Sequence, residues 1–271
     1  GAILSLSVAL GSCYESALEF EGDVNSIKPD DGTGSDEGFL TSPDIAVGFL
    51  RTAQLRVIDS REHKYQYQYS FIGDDPVGYM SSPHSFDGRL TSSLASGPDA
   101  NLQWVAQQTV PVMRSADTLQ IAPLGAFASI LFSDVALQYT NVHGTKPLSD
   151  YKVLKEERPL TYEKQSVVYT QLFQDLIKAD SILMEYEKQP IENTDDLIKG
   201  TDMLTEQGTA ANIVKMWRKY ANSLILRMAM TAVDVEGYTC NINGEEKTVQ
   251  QLGEEAVQRG VLQAGDKTIG L

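Results

Sequence analysis

The sequence predicts a mostly α-helical fold, with antiparallel helix pairs stacked into an α-solenoid or bundle and a loop-rich insertion between two of the helices. Three observations carry this. Apolar residues recur at helical spacing through six segments, Gly or Pro closes several of them, and strand-type alternation is short and rare. No repeat of fixed period is evident.

The first helix starts at Ser42-Pro43, an N-cap followed by a proline whose fixed φ suits the first turn, and Ile45, Phe49, Ala53 and Val57 carry it toward His63. Periodicity stops between Lys64 and Gly97, where Tyr65, Tyr67, Tyr69, Phe71, Tyr79 and Phe86 lie among Gly, Pro, Ser and Asp. A second helical region runs from about Asp99 to Leu119, with a break expected at Val110-Pro111. A third, Leu124 to about Val142, carries Phe127, Leu131, Val135 and Tyr139, and ends at Gly144 and Pro147.

The fourth starts near Thr161 and carries Tyr169, Leu172, Leu176, Leu183 and Tyr186 to Lys188, with Pro190 behind it. The fifth, Thr209 to Val233, aligns Ile213, Trp217, Tyr220, Leu224 and Met228. The sixth runs from Thr248 to Arg259 and stops at Gly260. These stripes are core faces rather than cofactor sites.

The N-terminus has a different character. Residues 1–12 are uncharged and mostly apolar, too short to span a bilayer, and read as the remnant of a secretory signal peptide. Leu10-Gly11-Ser12-Cys13 resembles a bacterial lipobox, whose cysteine is acylated and becomes the mature N-terminus. With no Met or basic stretch ahead of Gly1, the chain is expected to begin inside its own signal peptide. Residues 13–40 are polar and acidic and read as a flexible, lipidated tether. Acidic residues close behind such a cysteine also resemble a surface-export signal.

Composition narrows the function. A formal net charge of −15 argues against nucleic acid and against a peripheral hold on anionic lipid. With Cys13 acylated, Cys240 is unpaired and reads as a small packed thiol. His63, His84 and His143 are isolated and imply no metal site, and the Asp30–Asp36 cluster lacks the spacing of a calcium loop. Adjacent acids such as Asp195-Asp196 and Glu254-Glu255 point apart and make no glycosidase couple. Neither a P-loop nor a Gly-x-Ser-x-Gly elbow occurs, and no cofactor is implied. The aromatic stretch Tyr65–Phe86 invites a binding role, because sugar rings stack on aromatic faces while polar side chains satisfy hydroxyls. Tyr79, Phe86, Asp87, Arg89 and Trp104 are the candidate ligand-binding residues, against the alternatives of a short strand and a core Trp104.

Three stretches resemble one family. Ala126 to Leu148 is an alanine-rich helix ending in a turn, with His143 where an aromatic is common. Arg158 to Tyr169 leads into Leu176-Ile177-Lys178-Ala179-Asp180. Trp217-Arg218-Lys219-Tyr220-Ala221-Asn222-Ser223-Leu224-Ile225-Leu226-Arg227 follows the pattern W-x-K-(aromatic)-A-N-S-L-x-L-R. The chain is therefore similar to the SusD/RagB-like outer-membrane lipoproteins, the surface nutrient-binding partners of TonB-dependent transporters.

The resemblance implies tetratricopeptide-like helix pairs over residues 41–271, truncated at the C-terminal side, because family members are roughly twice this long. It implies a lipid-anchored protein of the outer membrane and cell surface that binds oligosaccharide without catalysis and delivers it to a SusC-like transporter. The alternatives are a peptide-binding RagB-type partner, a helical interaction scaffold, or a surface hydrolase whose catalytic groups lie outside this sequence.

Overall fold

The computed structural model describes residues 39–57, 79, 96–152, 161–191, 193–205 and 208–266. Eight helices and one hairpin make up the ordered elements among them. Helix α1 spans Pro43–Val57, and Ser42 Oγ accepts the Asp44 N–H at its start. Its inward face is Ala46, Phe49, Leu50, Ala53 and Val57. The sequence extends this helix to His63, but the residues beyond Val57 lie outside the described ones.

Helix α2 spans Ser96–Ser115 and passes through Pro111 without the expected break. The proline removes one backbone hydrogen bond. Its neighbours Val110 and Val112 are buried, and the long packing seam between α2 and α3 holds the helix together across that gap. A turn at residues 116–120 ends α2 before Leu119, and Gln120 takes a positive φ of 55° there. Helix α3, Ala122–His143, is buried on almost every side and is the axis of the molecule, packing on α1, α2 and α5. As the sequence predicts, Gly144 ends it at φ 78°, donating its N–H to Thr140 O at 2.8 Å.

A short helix α4, Leu148–Tyr151, follows, and Lys146 bridges to Glu163. Helix α5 spans Gln165–Lys188, starting four residues after Thr161. The intervening residues are held outside the helix: the Thr161 N–H donates to Asp150 Oδ2 at 3.0 Å, and Glu163 pairs with Lys146 and Ser149. Helix α6, Asp195–Thr201, leads to α7, Ala210–Ala232, capped by Thr209 Oγ1 on the Asn212 N–H.

Strands β1 (Thr239–Ile242) and β2 (Glu245–Thr248) form an antiparallel hairpin. Its two-residue turn is Asn243-Gly244, both at positive φ, 55° and 90°. Helix α8, Val249–Arg259, begins with a capping box of Thr248 and Gln251 and stops at Gly260 with φ 103°. The helices therefore stack in sequence, α2 on α3, α3 on α5, α5 on α7 and α7 on α8. Cys240 is a free thiol buried in β1, against α5.

Candidate binding surface and the framework beneath it

The residues predicted to bind ligand fall unevenly. Phe86, Asp87 and Arg89, together with the acylation candidate Cys13, lie outside the described residues. Tyr79 is 84% exposed, so its ring is available to a ligand and belongs to no core. Trp104 is half-buried on the first half of α2, and the Arg56 guanidinium of α1 sits over its ring, 5.0 Å from the centroid. The structure thus places Trp104 at the surface of the α1–α2 pair rather than in the core. Beside it, Asn101 donates to Val57 O at 3.3 Å and closes the end of α1.

A guanidinium over an indole face is a cation–π pair, which fixes Trp104 against the last turn of α1. Arg56, in the last turn of α1, was not among the residues singled out from the sequence.

A denser polar framework lies under α7. Trp217 stacks on Phe127 with centroids 4.2 Å apart and donates its indole N–H to Asp202 Oδ1 at 2.9 Å. Arg218 Nε donates to the buried Asp180 carboxylate at 2.8 Å and Nη1 to Glu187 at 2.5 Å. Burial works against the Arg218 charge, but these two carboxylates raise its pKa above the ordinary value. Lys219 reaches Asp266 at 2.5 Å, and Tyr220 donates to Asp134 on α3. Asn222, fully buried, accepts from Arg259 Nε at 2.9 Å and donates to Arg218 O at 3.0 Å. Ser223 Oγ accepts the Leu262 N–H at 2.9 Å. These polar side chains are all structural braces. They are linked across elements and committed to protein partners.

At the other end of α5, Glu163 accepts from Ser149 Oγ at 2.7 Å, the Ser149 N–H at 3.1 Å and Gln171 Nε2 at 2.7 Å. Burial pushes its carboxyl up, yet these bonds outweigh that and hold it below the usual glutamate value. The adjacent acids diverge to separate partners: Asp195 accepts from Tyr186 and Asp196 from Lys199, while Glu254 accepts from Gln250 and Glu255 from Lys247. Among the described residues, no group of three or more His, Cys, Asp or Glu could hold a metal ion, and no helix is long and apolar enough to cross a membrane.

Stacked antiparallel helix pairs define a tetratricopeptide-like helical fold. The model of the SusD-like family, the SusD and RagB outer membrane lipoproteins, matches residues 34–270, and the chain belongs to that family. Solved structures share the fold. A SusD homologue from Bacteroides ovatus is 24% identical, with a TM-score of 0.60 over 81% of this chain and 42% of its own. A chitin-binding SusD homologue from Flavobacterium johnsoniae is 22% identical, with a TM-score of 0.61 over 81% and 44%. A SusD-like protein from Bacteroides thetaiotaomicron is 21% identical, with a TM-score of 0.60 over 82% and 44%. The chain spans less than half the length of each. No curated protein matches the sequence.

Proposed function

We propose that this chain belongs to a cell-surface lipoprotein, anchored through Cys13, that captures oligosaccharide and delivers it to a SusC-like TonB-dependent transporter, without catalysis. The observation that carries this reading is the family match over residues 34–270. The chitin-binding relative supports a glycan as ligand. The Arg56–Trp104 stack and the exposed Tyr79 support a stacking platform on this part of the protein, shared with Phe86, Asp87 and Arg89.

The test is calorimetric titration of the natural gene product with chito-, malto- and xylo-oligosaccharides and a peptide panel, comparing wild type with Trp104→Ala and Tyr79→Ala. Loss of one stacking ring is expected to weaken glycan binding about 10-fold, equivalent to about 1.4 kcal/mol. Tyr79→Ala leaves no buried hole, so its folding is not in question. Full affinity in both variants would refute the platform, and binding of peptides alone would replace glycan with peptide. Co-purification of a stoichiometric β-barrel from mild detergent is the expected result for the transporter, and recovery without one would remove that partner. Palmitate labelling is expected in wild type and lost in Cys13→Ala, and label retained by the variant would refute the anchor.

A further inference from the structure

The turn of the β1–β2 hairpin carries a reactive pair of residues. In Asn243-Gly244 a side-chain amide stands next to a backbone nitrogen that has no Cβ beside it, so the Asn243 Cγ and that nitrogen can meet with little steric hindrance. Both residues are exposed. Asn243 is the only asparagine of the sequence that is followed by glycine.

The chemistry open to this pair is intramolecular. Once base removes the Gly244 N–H proton, the nitrogen attacks Asn243 Cγ, the Cγ–Nδ2 bond breaks, ammonia leaves and a cyclic imide closes. Water then opens the ring. Attack at Cγ gives aspartate, and attack at the main-chain carbonyl carbon gives isoaspartate, in which the chain runs through Cγ. One water enters and one ammonia departs, with no change of oxidation state.

Two features of the fold oppose ring closure. Asn243 and Gly244 both lie at positive φ, 55° and 90°. The ring needs the Asn243 Cβ eclipsed with the Gly244 nitrogen about the Cα–C bond, a ψ that lies outside the left-handed well. The Gly244 N–H is also committed, donating to Asn241 Oδ1 at 3.0 Å. Asn241 is aimed in turn by the facing strand: its Nδ2 donates to Glu246 Oε1 at 3.1 Å, and Thr239 Oγ1 donates to Glu246 Oε2 at 2.8 Å.

We propose that Asn243 is a latent deamidation site, converted to isoaspartate and aspartate without an enzyme, and that Asn241 guards it by holding the Gly244 N–H. Isoaspartate adds a carbon to the main chain, which a two-residue hairpin loop does not accommodate. The effect reaches beyond the turn. The hairpin register keeps Cys240 and Ile242 in the core and sets Thr248, the cap of α8, opposite Thr239. The new carboxylate also stands beside Glu245 and Glu246.

The test is ageing of the purified natural gene product at mildly alkaline pH, followed by peptide mass mapping at residue 243, with electron-transfer fragmentation to separate isoaspartate from aspartate. In urea, Asn243 is expected to convert ahead of every other asparagine. In the folded protein it is expected to convert at least about 10-fold more slowly, through local opening of the hairpin. Asn241→Ala is expected to speed conversion in the folded protein about 5-fold, the worth of one turn hydrogen bond. Glu246→Ala, which only frees the Asn241 amide, is expected to raise it less. Both side chains are exposed, so neither variant opens the core. Conversion of Asn243 in urea no faster than that of the other asparagines would overturn the site. Equal folded and unfolded rates, or an unchanged rate in Asn241→Ala, would overturn the guard.

Discussion

Asp180→Asn tests the framework beneath α7 directly. The Asp180 side chain is 3% exposed and faces two guanidinium groups, with Arg218 Nε at 2.8 Å and Arg259 Nε at 3.3 Å. Asparagine keeps the shape and one acceptor, but removes the charge and turns an N–H₂ group toward one of the two arginines. Breaking a buried pair from one side costs about 3–5 kcal/mol when the surviving charge is fully enclosed. Here the arginines are 16% and 26% exposed, and each keeps a carboxylate, Glu187 for Arg218 and Glu255 for Arg259. The expected loss is therefore smaller, about 2–3 kcal/mol, or a fall in Tm of about 5–10 °C for a chain of this size. Urea unfolding followed by far-UV circular dichroism reads it as a lower midpoint at unchanged slope. Arg218→Gln and the double variant complete a cycle, with a coupling of at least about 1 kcal/mol expected. A loss below about 0.5 kcal/mol, or additive single losses, would refute the claim that this network braces α5 to α7.

Two further outcomes follow from single residues. Because its hydrogen bonds hold the Glu163 carboxyl below its ordinary value, folded Glu163 contributes stability that is fully present above pH 4.5 and lost as pH falls through the lower folded value. Glu163→Gln is expected to lower stability at neutral pH, and the gap from wild type should narrow in acid. A gap independent of pH in urea titrations would contradict this. Gly125→Ala would set a Cβ 2.5 Å from that of the buried Ala116, costing about 1–3 kcal/mol from overpacking and outweighing a helix-propensity gain of about 1 kcal/mol. Gly48→Ala meets nothing within 4 Å and is expected to stabilise, so thermal melts that rank Gly125→Ala above wild type, or fail to recover it with Ala116→Gly, would overturn the packing argument.

The long helices were legible because their apolar stripes exceed three turns and their ends carry ordinary signals. Thr209 and Thr248 cap α7 and α8, and Gly144 and Gly260 close α3 and α8. What escaped was short or dependent on distant partners. Helix α6 has seven residues, too few for a stripe. The hairpin announces itself only through Asn243-Gly244, because β2 is largely exposed and alternates no apolar face. Pro111 misled because its lost backbone bond is local while the packing that outweighs it comes from α3.

The Trp217-Arg218-Lys219-Tyr220 run was recognisable as a family pattern, but its physical reason was not. Its partners Asp202, Asp180, Asp266 and Asp134 are scattered through the chain. Trp104 could be nominated from composition alone, whereas its surface position and its pairing with Arg56 depend on how α1 and α2 pack.

The first helix is fastened far along the chain. Gln54 Nε2 donates to Thr201 O at 2.8 Å, Gln54 Oε1 accepts the Met203 N–H at 2.8 Å, and Arg51 Nη1 donates to Gly200 O at 2.8 Å. Leu40, just ahead of α1, donates its N–H to the buried Ser115 Oγ at 2.7 Å. A pull on the residues ahead of α1 therefore meets α2 first and then a clasp onto the last turn of α6 and Met203 just beyond it, so several bonds must fail together before the helices can peel away. Load applied ahead of α1 is thereby shared among α1, α2 and α6 instead of being concentrated on the outermost helix.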